Sequence, residues 1–195
     1  MELTQKQDEF FSLIMHSNGS STSLEFIKAD YITGRISFSA PIHSVYKNYT
    51  DIFCKAFALS EDGETLFTAG LTMKRGSGML GYVSVHNVSL KSVREIDFKV
   101  SSDSSHSLKK GFYRVNLLSK NAARNFNCQE VVLAGAWVDL YVYSYDSLKL
   151  ERVYAFRELH SGIFYPDIDL IYGIWTREND IFTCSNDYTI TKITF

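Results

Sequence analysis

Residues 52–70 read IFCKAFALSEDGETLFTAG, and their pattern sets the fold. Ile52 to Leu59 and Thr65 to Gly70 are short runs of aliphatic, aromatic and small residues, with the length and make-up of strands. Ser60-Glu61-Asp62-Gly63 stands between them, and its Asp62-Gly63 pair tolerates positive φ at little cost. The stretch therefore predicts a hairpin. On its far side a Gly-rich insert, MKRGSGMLG, reads as an inter-strand loop, and Gly81 to Val88 and Val93 to Val100 complete a four-stranded unit.

The same plan recurs on both sides. Upstream, Phe10 to His16, Leu24 to Asp30 and Arg35 to Ala40 read as three strands, with a turn at Thr33-Gly34. Gln5 to Met15 reads equally as a helix whose face carries Phe10, Phe11, Ile14 and Met15. Downstream come Phe112 to Leu118, Val131 to Gly135, Leu140 to Tyr145 and Leu150 to Phe156. Leu170 to Thr176, Ile181 to Ser185 and Tyr188 to Phe195 follow. The groups span about 8–40, 51–100, 106–157 and 160–195 of a single domain and hold three, four, four and three strands. A period of roughly 40 to 60 residues with four short strands per unit predicts a β-propeller. A β-sandwich shares the short, evenly spaced strands and is the other all-β reading. No spare strand precedes the first group and the last stops at its third, so about four blades are expected, the first and last incomplete. Two raw sheet edges would then need cover, from a second chain or a second copy.

Composition excludes several functions. Apolar residues make 45% and charged residues 22%, which fits a packed core and argues against disorder. A net charge of −2 without a basic block argues against nucleic-acid binding. No stretch nears the ~20 apolar residues of a membrane span, and the start lacks the pattern of a secretion signal. The expected compartment is the cytosol, with the nucleus open to it. The sequons at Asn18, Asn48 and Asn87 then go unused. Cys54, Cys128 and Cys184 are widely spaced and read as reduced, buried thiols, and no His or Cys spacing fits a metal site. No cofactor is expected.

Thr183-Cys184-Ser185-Asn186-Asp187-Tyr188-Thr189-Ile190 resembles the second-to-third strand hairpin of a WD repeat. The resemblance gives His106 and His160, each preceding a unit, and the turn residue Asp187 the blade-stabilising roles of that family. Ala69-Gly70 and Ala134-Gly135 occupy its small positions. No Trp-Asp pair closes a third strand; Asn87 and Tyr145 stand near its place. Within the WD proteins, Gly111-Phe112-Tyr113-Arg114-Val115, Val131 to Ala136, His160, Leu170 to Trp175 and Thr183-Cys184-Ser185 follow the order of the C-terminal part of the diphthine methyl-ester hydrolase family. Tyr113 departs from that pattern where the family has Trp, and the Asp between Gly173 and Trp175 is absent. The segment after Ser185 is one residue short, and one repeat is missing upstream. The resemblance implies hydrolysis of a methyl ester on the modified histidine of elongation factor 2, in diphthamide biosynthesis, with that factor as partner. No G-x-S-x-G elbow or Ser/His/Asp series assigns a catalytic residue. The second reading is a non-catalytic WD-repeat scaffold for protein–protein interaction. Tyr113, Arg114, Trp137, Tyr172 and Trp175 are the candidate binding residues, because large aromatics and Arg make partner surfaces. Core packing accounts for the aromatics equally. His86, in mid-strand, reads as exposed. Gly76-Ser77-Gly78 lacks the frame of a phosphate loop, although Lys74 and Arg75 beside it suit an acidic partner. Asp167, Asp169 and Asp180 read as solvated loop carboxylates, Asp169 where a strand begins and Asp180 in a turn.

Overall fold

The computed structural model describes residues 2–3, 9–17, 22–43, 49–74, 78–89, 92–100, 112–118, 123–124, 131–136, 139–145, 148–155, 171–185 and 189–194. They form an all-β arrangement of antiparallel ribbons. The first holds β1 (Glu2–Leu3), β2 (Glu9–Ser17), β3 (Thr22–Asp30) and β4 (Ile36–His43). The second holds β5 (Tyr49–Leu59), β6 (Thr65–Lys74), β7 (Gly78–Val88) and β8 (Val93–Val100). The third holds β9 (Phe112–Leu118), β10 (Val131–Ala136), β11 (Asp139–Ser144) and β12 (Leu150–Ala155). The fourth holds β13 (Ile171–Arg177), β14 (Asp180–Ser185) and β15 (Ile190–Thr194). Within each ribbon every strand pairs with its neighbour in sequence.

The hairpin of residues 52–70 forms as its sequence predicts. Gly63 takes φ +76°, a region that penalises a Cβ. Asp62 Oδ1 accepts from the Ser60 hydroxyl (2.5 Å) and the Glu64 amide (2.9 Å), and Ser60 Oγ accepts from the Thr65 amide (2.9 Å). A bulge between Cys54 and Ala56 places two residues of β5 against one step of β6. The face of β5 therefore switches: Ile52, Cys54, Phe57 and Leu59 look one way, Ala56 and Ala58 the other. At this bulge the Phe53 carbonyl comes so close to Gly70 that a Cβ there would lie 1.9 Å from its oxygen. Only glycine fits.

Three expectations are corrected and one ambiguity is resolved. The insert MKRGSGMLG is largely strand, because β6 runs on to Lys74 and pairs Met73 with Met79 and Lys74 with Gly78. Residues 75–77 lie outside the described residues. The ambiguous segment before Met15 is strand from Glu9, its helix-like spacing overridden by nine paired positions with β3. A short β1 precedes it and pairs Glu2 with Phe11, where no strand was expected. Finally, the first two ribbons are not separate. β4 and β8 pair in parallel through Ile42–Val93 and His43–Arg94, giving one eight-stranded sheet of order β1-β2-β3-β4-β8-β7-β6-β5.

The ribbons stack in series. Phe11, Leu24, Phe26, Ala40 and Ile42 of the first pack on Leu66, Val88 and Val93 of the second. The opposite face of the second, Phe67, Ala69, Val83 and Val85, packs on Phe112, Val132, Ala134 and Tyr141 of the third. The far face of the third, Val131, Leu133, Leu140 and Val142, packs on Ile171, Ile174 and Ile181 of the fourth. Each buried Phe or Leu contributes about 2 to 3 kcal/mol by removal from water. Phe112 is the hub of the middle junction, edge-on to Tyr141 at 5.2 Å and to Tyr143 at 6.2 Å. Two polar bonds also tie the third ribbon to the fourth: Asn116 Nδ2 donates to the Ile174 carbonyl (3.1 Å) and Thr176 Oγ1 to the Leu117 carbonyl (2.9 Å). A sandwich has two layers and one core. Here the second and third ribbons are each covered on both faces by different neighbours.

Candidate interaction surfaces

The first question is whether any side chains here are placed for ester hydrolysis. On the face of the second ribbon that meets the first, Thr68 stands opposite Ser84 on β6 and β7, with His86 two residues along. Thr68 Oγ1 and Ser84 Oγ are 2.6 Å apart, and His86 Nε2 lies 2.8 Å from Ser84 Oγ and 3.3 Å from Thr68 Oγ1. His86 is 1% exposed, which corrects its reading as a surface residue. Its strand alternates polar residues into a buried face, so neither its type nor its spacing marked the site. Burial holds its pKa down at about 3, so the ring is neutral at pH 7. Nδ1 has no partner among the described residues, so no carboxylate orients the ring as in a nucleophile–base–acid relay. A weak base sealed beside a buried serine has no reach to a substrate. The cluster is a polar knot between ribbons.

A second serine stands beside a carboxylate and a histidine. On the outward face of the first ribbon Ser39 Oγ donates to Glu25 Oε1, and Glu25 Oε2 meets His16 Nε2 at 2.8 Å. Glu25 is in the middle, so the imidazole does not touch the serine. Those bonds, Ser39 first, hold the Glu25 carboxyl below the usual carboxylate range and make it a fixed anion on this face. Among the described residues no group of three or more His, Cys, Asp or Glu is placed to hold a metal ion. No helix among them is long and apolar enough to cross a membrane.

Two surfaces have the make-up of docking sites. One is the tip of the β3–β4 hairpin, where Tyr31 is 57% and Ile32 80% exposed, with Ile36 also open. The tip is fixed despite its exposure. Asp30 Oδ1 accepts from the amides of Ile32 (3.1 Å) and Thr33 (2.6 Å) and from the Thr33 hydroxyl (2.7 Å), while the Asp30 amide donates to the Arg35 carbonyl (2.9 Å). The Thr33 bonds hold the Asp30 carboxyl below the ordinary range. Sequence reading found the turn but passed over Tyr31 and Ile32, whose apolar side chains at a tip were the available signal.

The other surface is the outward face of the fourth ribbon. Cross-strand pairing puts Trp175, Phe182 and Lys192 in one row, and Gly173, Cys184 and Ile190 in the next. Trp175 is 40% exposed and stacks on Phe182 at 5.7 Å with the rings 5° from parallel. The Lys192 ammonium lies 5.9 Å from the Phe182 ring centre and 2.8 Å from Asp180. Lys192, then Thr194, hold the Asp180 carboxyl down. Asp180 is thus a partnered carboxylate at the start of β14, where the sequence reading had a solvated loop.

Of the candidate binding residues, Trp175 is on this open face. Arg114 is exposed but stands on the side of β9 facing β13, against Gly135 and Ile174, so the fourth ribbon separates it from Trp175. Tyr113 lies on β9 and Tyr172 on β13, and their side chains are outside the described set. Trp137, His106, His160 and Asp187 lie outside the described residues, as does Cys128. Cys54 and Cys184 are free thiols, each half-buried.

Serial stacking of four-stranded ribbons finds a counterpart among solved structures. The chain superposes on the crystal structure of the Chaetomium thermophilum Sqt1 bound to the N-terminus of the ribosomal protein L10, a WD-repeat β-propeller protein, with a TM-score of 0.51. The fold of this chain is all-β and like part of that propeller. The match covers 94% of this chain at 12% identity, so the likeness is one of fold. The chain spans 42% of the Sqt1 chain. No family model and no curated protein sequence matches it.

Proposed function

We propose that this chain is a WD-type propeller segment of about four blades, the last of them three-stranded among the described residues, that works as a protein-docking module. The observation that carries the reading is the hairpin tip. Tyr31 and Ile32 are apolar, open to water and mounted on a turn pinned by Asp30, so binding through them orders little that is not already ordered. The fold likeness supports the same class of function: Sqt1 is described bound to the N-terminus of a ribosomal protein, and the analogous partner here is a protein segment with an apolar anchor.

The diphthine methyl-ester hydrolase reading, with elongation factor 2 as partner, rests on the sequence resemblance alone. His86, Ser84, Ser39, His16 and Glu25 lack the geometry of a nucleophile with its base.

The test is quantitative capture on the immobilised chain, read by mass spectrometry, beside the double variant Tyr31→Ser, Ile32→Ser. A defined protein set bound by wild type and reduced roughly tenfold or more by the variant is expected, with the melting temperature unchanged. Equal capture by both would sink the role of the tip. Release of methanol from a methylated diphthine carrier would restore the enzyme.

A further inference from the structure

We propose that the outward face of the fourth ribbon docks against the outward face of the first ribbon of a second copy of this chain. Two copies would then close one ring by twofold symmetry. The inference rests on the propeller reading above.

The interior of the stack shows what such a face requires. The second and third ribbons each have both faces covered by a neighbouring sheet, in the close face-to-face packing that buries alternate side chains of both partners. The fourth buries Ile171, Ile174, Ile181 and Ile193 on its inner face. Its outer face leaves Trp175 and Ile190 in water, the latter 68% exposed. A rigid, stacked tryptophan with an aliphatic neighbour and a charged rim is the composition of an interface centre.

The occupant is identified by charge. On the strand positions of the outer face, Arg177 and Lys192 stand against the single carboxylate of Asp180. At the other end of the stack, the outward face of the first ribbon buries Ile27 and Ala29 but leaves Ile14, His16, Ser39 and Pro41 open around the Glu25 carboxylate. A cationic, aromatic face at one end thus complements an anionic, aliphatic face at the other. The two faces belong to opposite ends of one stack, so they meet only between copies. Under twofold symmetry each copy's last ribbon meets the other's first, and both junctions form together. The second contact is then effectively intramolecular, which strengthens the pair beyond either face alone.

The experiment is light-scattering mass across a concentration series of the 195-residue chain. The expected species has twice the 22.2 kDa chain mass. Trp175→Asp and Ile190→Glu, both at exposed positions, should return it to the single-chain mass, with association weakened roughly tenfold or more and far-UV spectra unchanged. Lys192→Glu and Glu25→Lys should each weaken the pair, and the two together should restore it. A wild-type chain of single mass at every concentration would overturn the proposal. So would a pair that Trp175→Asp leaves intact, or an open ladder of larger species. Equal capture by wild type and the Tyr31→Ser, Ile32→Ser variant, with the pair intact, would strike the docking function and leave this inference standing.

Discussion

Protonation of His86 should weaken the fold over a pH range in which few other groups titrate. The ring is sealed between the first and second ribbons, with Nε2 on the Ser84 and Thr68 hydroxyls and Nδ1 unmatched. Its folded pKa, near 3, is below the ordinary value of 6.5. A histidine depressed in the folded state adds stability that is complete above pH 6.5 and is lost as pH falls towards 3. Each pH unit inside that window costs about 1.4 kcal/mol, so the drop from pH 7 to pH 5 costs about 2 kcal/mol. That is a large part of a typical domain stability of about 5 to 15 kcal/mol. The depressed carboxylates Glu25, Asp30 and Asp180 lose their contribution only below the ordinary carboxylate range. The window from pH 7 to pH 5 thus leaves these carboxylates silent, and comparison with a His86 variant separates this imidazole from the other four histidines. His86→Leu removes it while Ser84 and Thr68 remain bonded to each other, so its stability at pH 7 should stay within about 1 kcal/mol of wild type. Urea unfolding of both proteins at pH 7 and pH 5 gives the comparison. Wild type should lose about 2 kcal/mol more than the variant. Parallel losses would show that the ring is not sealed and that the polar knot is misplaced.

Other expected outcomes follow from the packing. Gly70→Ala should cost about 3 kcal/mol or more in chemical denaturation, because its Cβ meets the Phe53 carbonyl and backbone has to move. Phe112→Ala should cost about 3 to 5 kcal/mol by the same measurement, since it opens a cavity where the second and third ribbons meet. Burial pushes the Cys54 thiol up to about 11 from 9.0, so iodoacetamide should modify it about a hundredfold more slowly at pH 8 in the folded chain than in urea.

Much of the architecture was legible in the alternation and turn residues. Asp62-Gly63 and Thr33-Gly34 announced hairpins that the structure forms, and the strands β9 to β12 match their predicted ranges to within a residue. The fourth group's final strand begins at Ile190, later than read. What escaped was decided by contacts between distant residues. The Cys54–Ala56 bulge switches Phe57 and Leu59 to the face of Ile52, which simple alternation misassigns. The β4–β8 bridge involves two residue pairs and carries no local signal. His86 looked exposed because a polar residue in an alternating strand normally faces water; here that face is covered by the first ribbon. For the surfaces, Trp175 was found by its type. Tyr31 and Ile32 were overlooked because attention went to the turn-forming residues beside them.

Serial stacking is the claim on which the rest depends, and short-range proton–proton contacts test it directly. With aromatic and methyl groups labelled, cross-peaks are expected from Phe26 to Leu66, from Val85 to Phe112, and from Leu133 to Ile181, each joining neighbouring ribbons. Cross-peaks within a single molecule from Phe26 or Leu24 to Ile171 or Ile181 would place the first ribbon on the fourth and contradict the account.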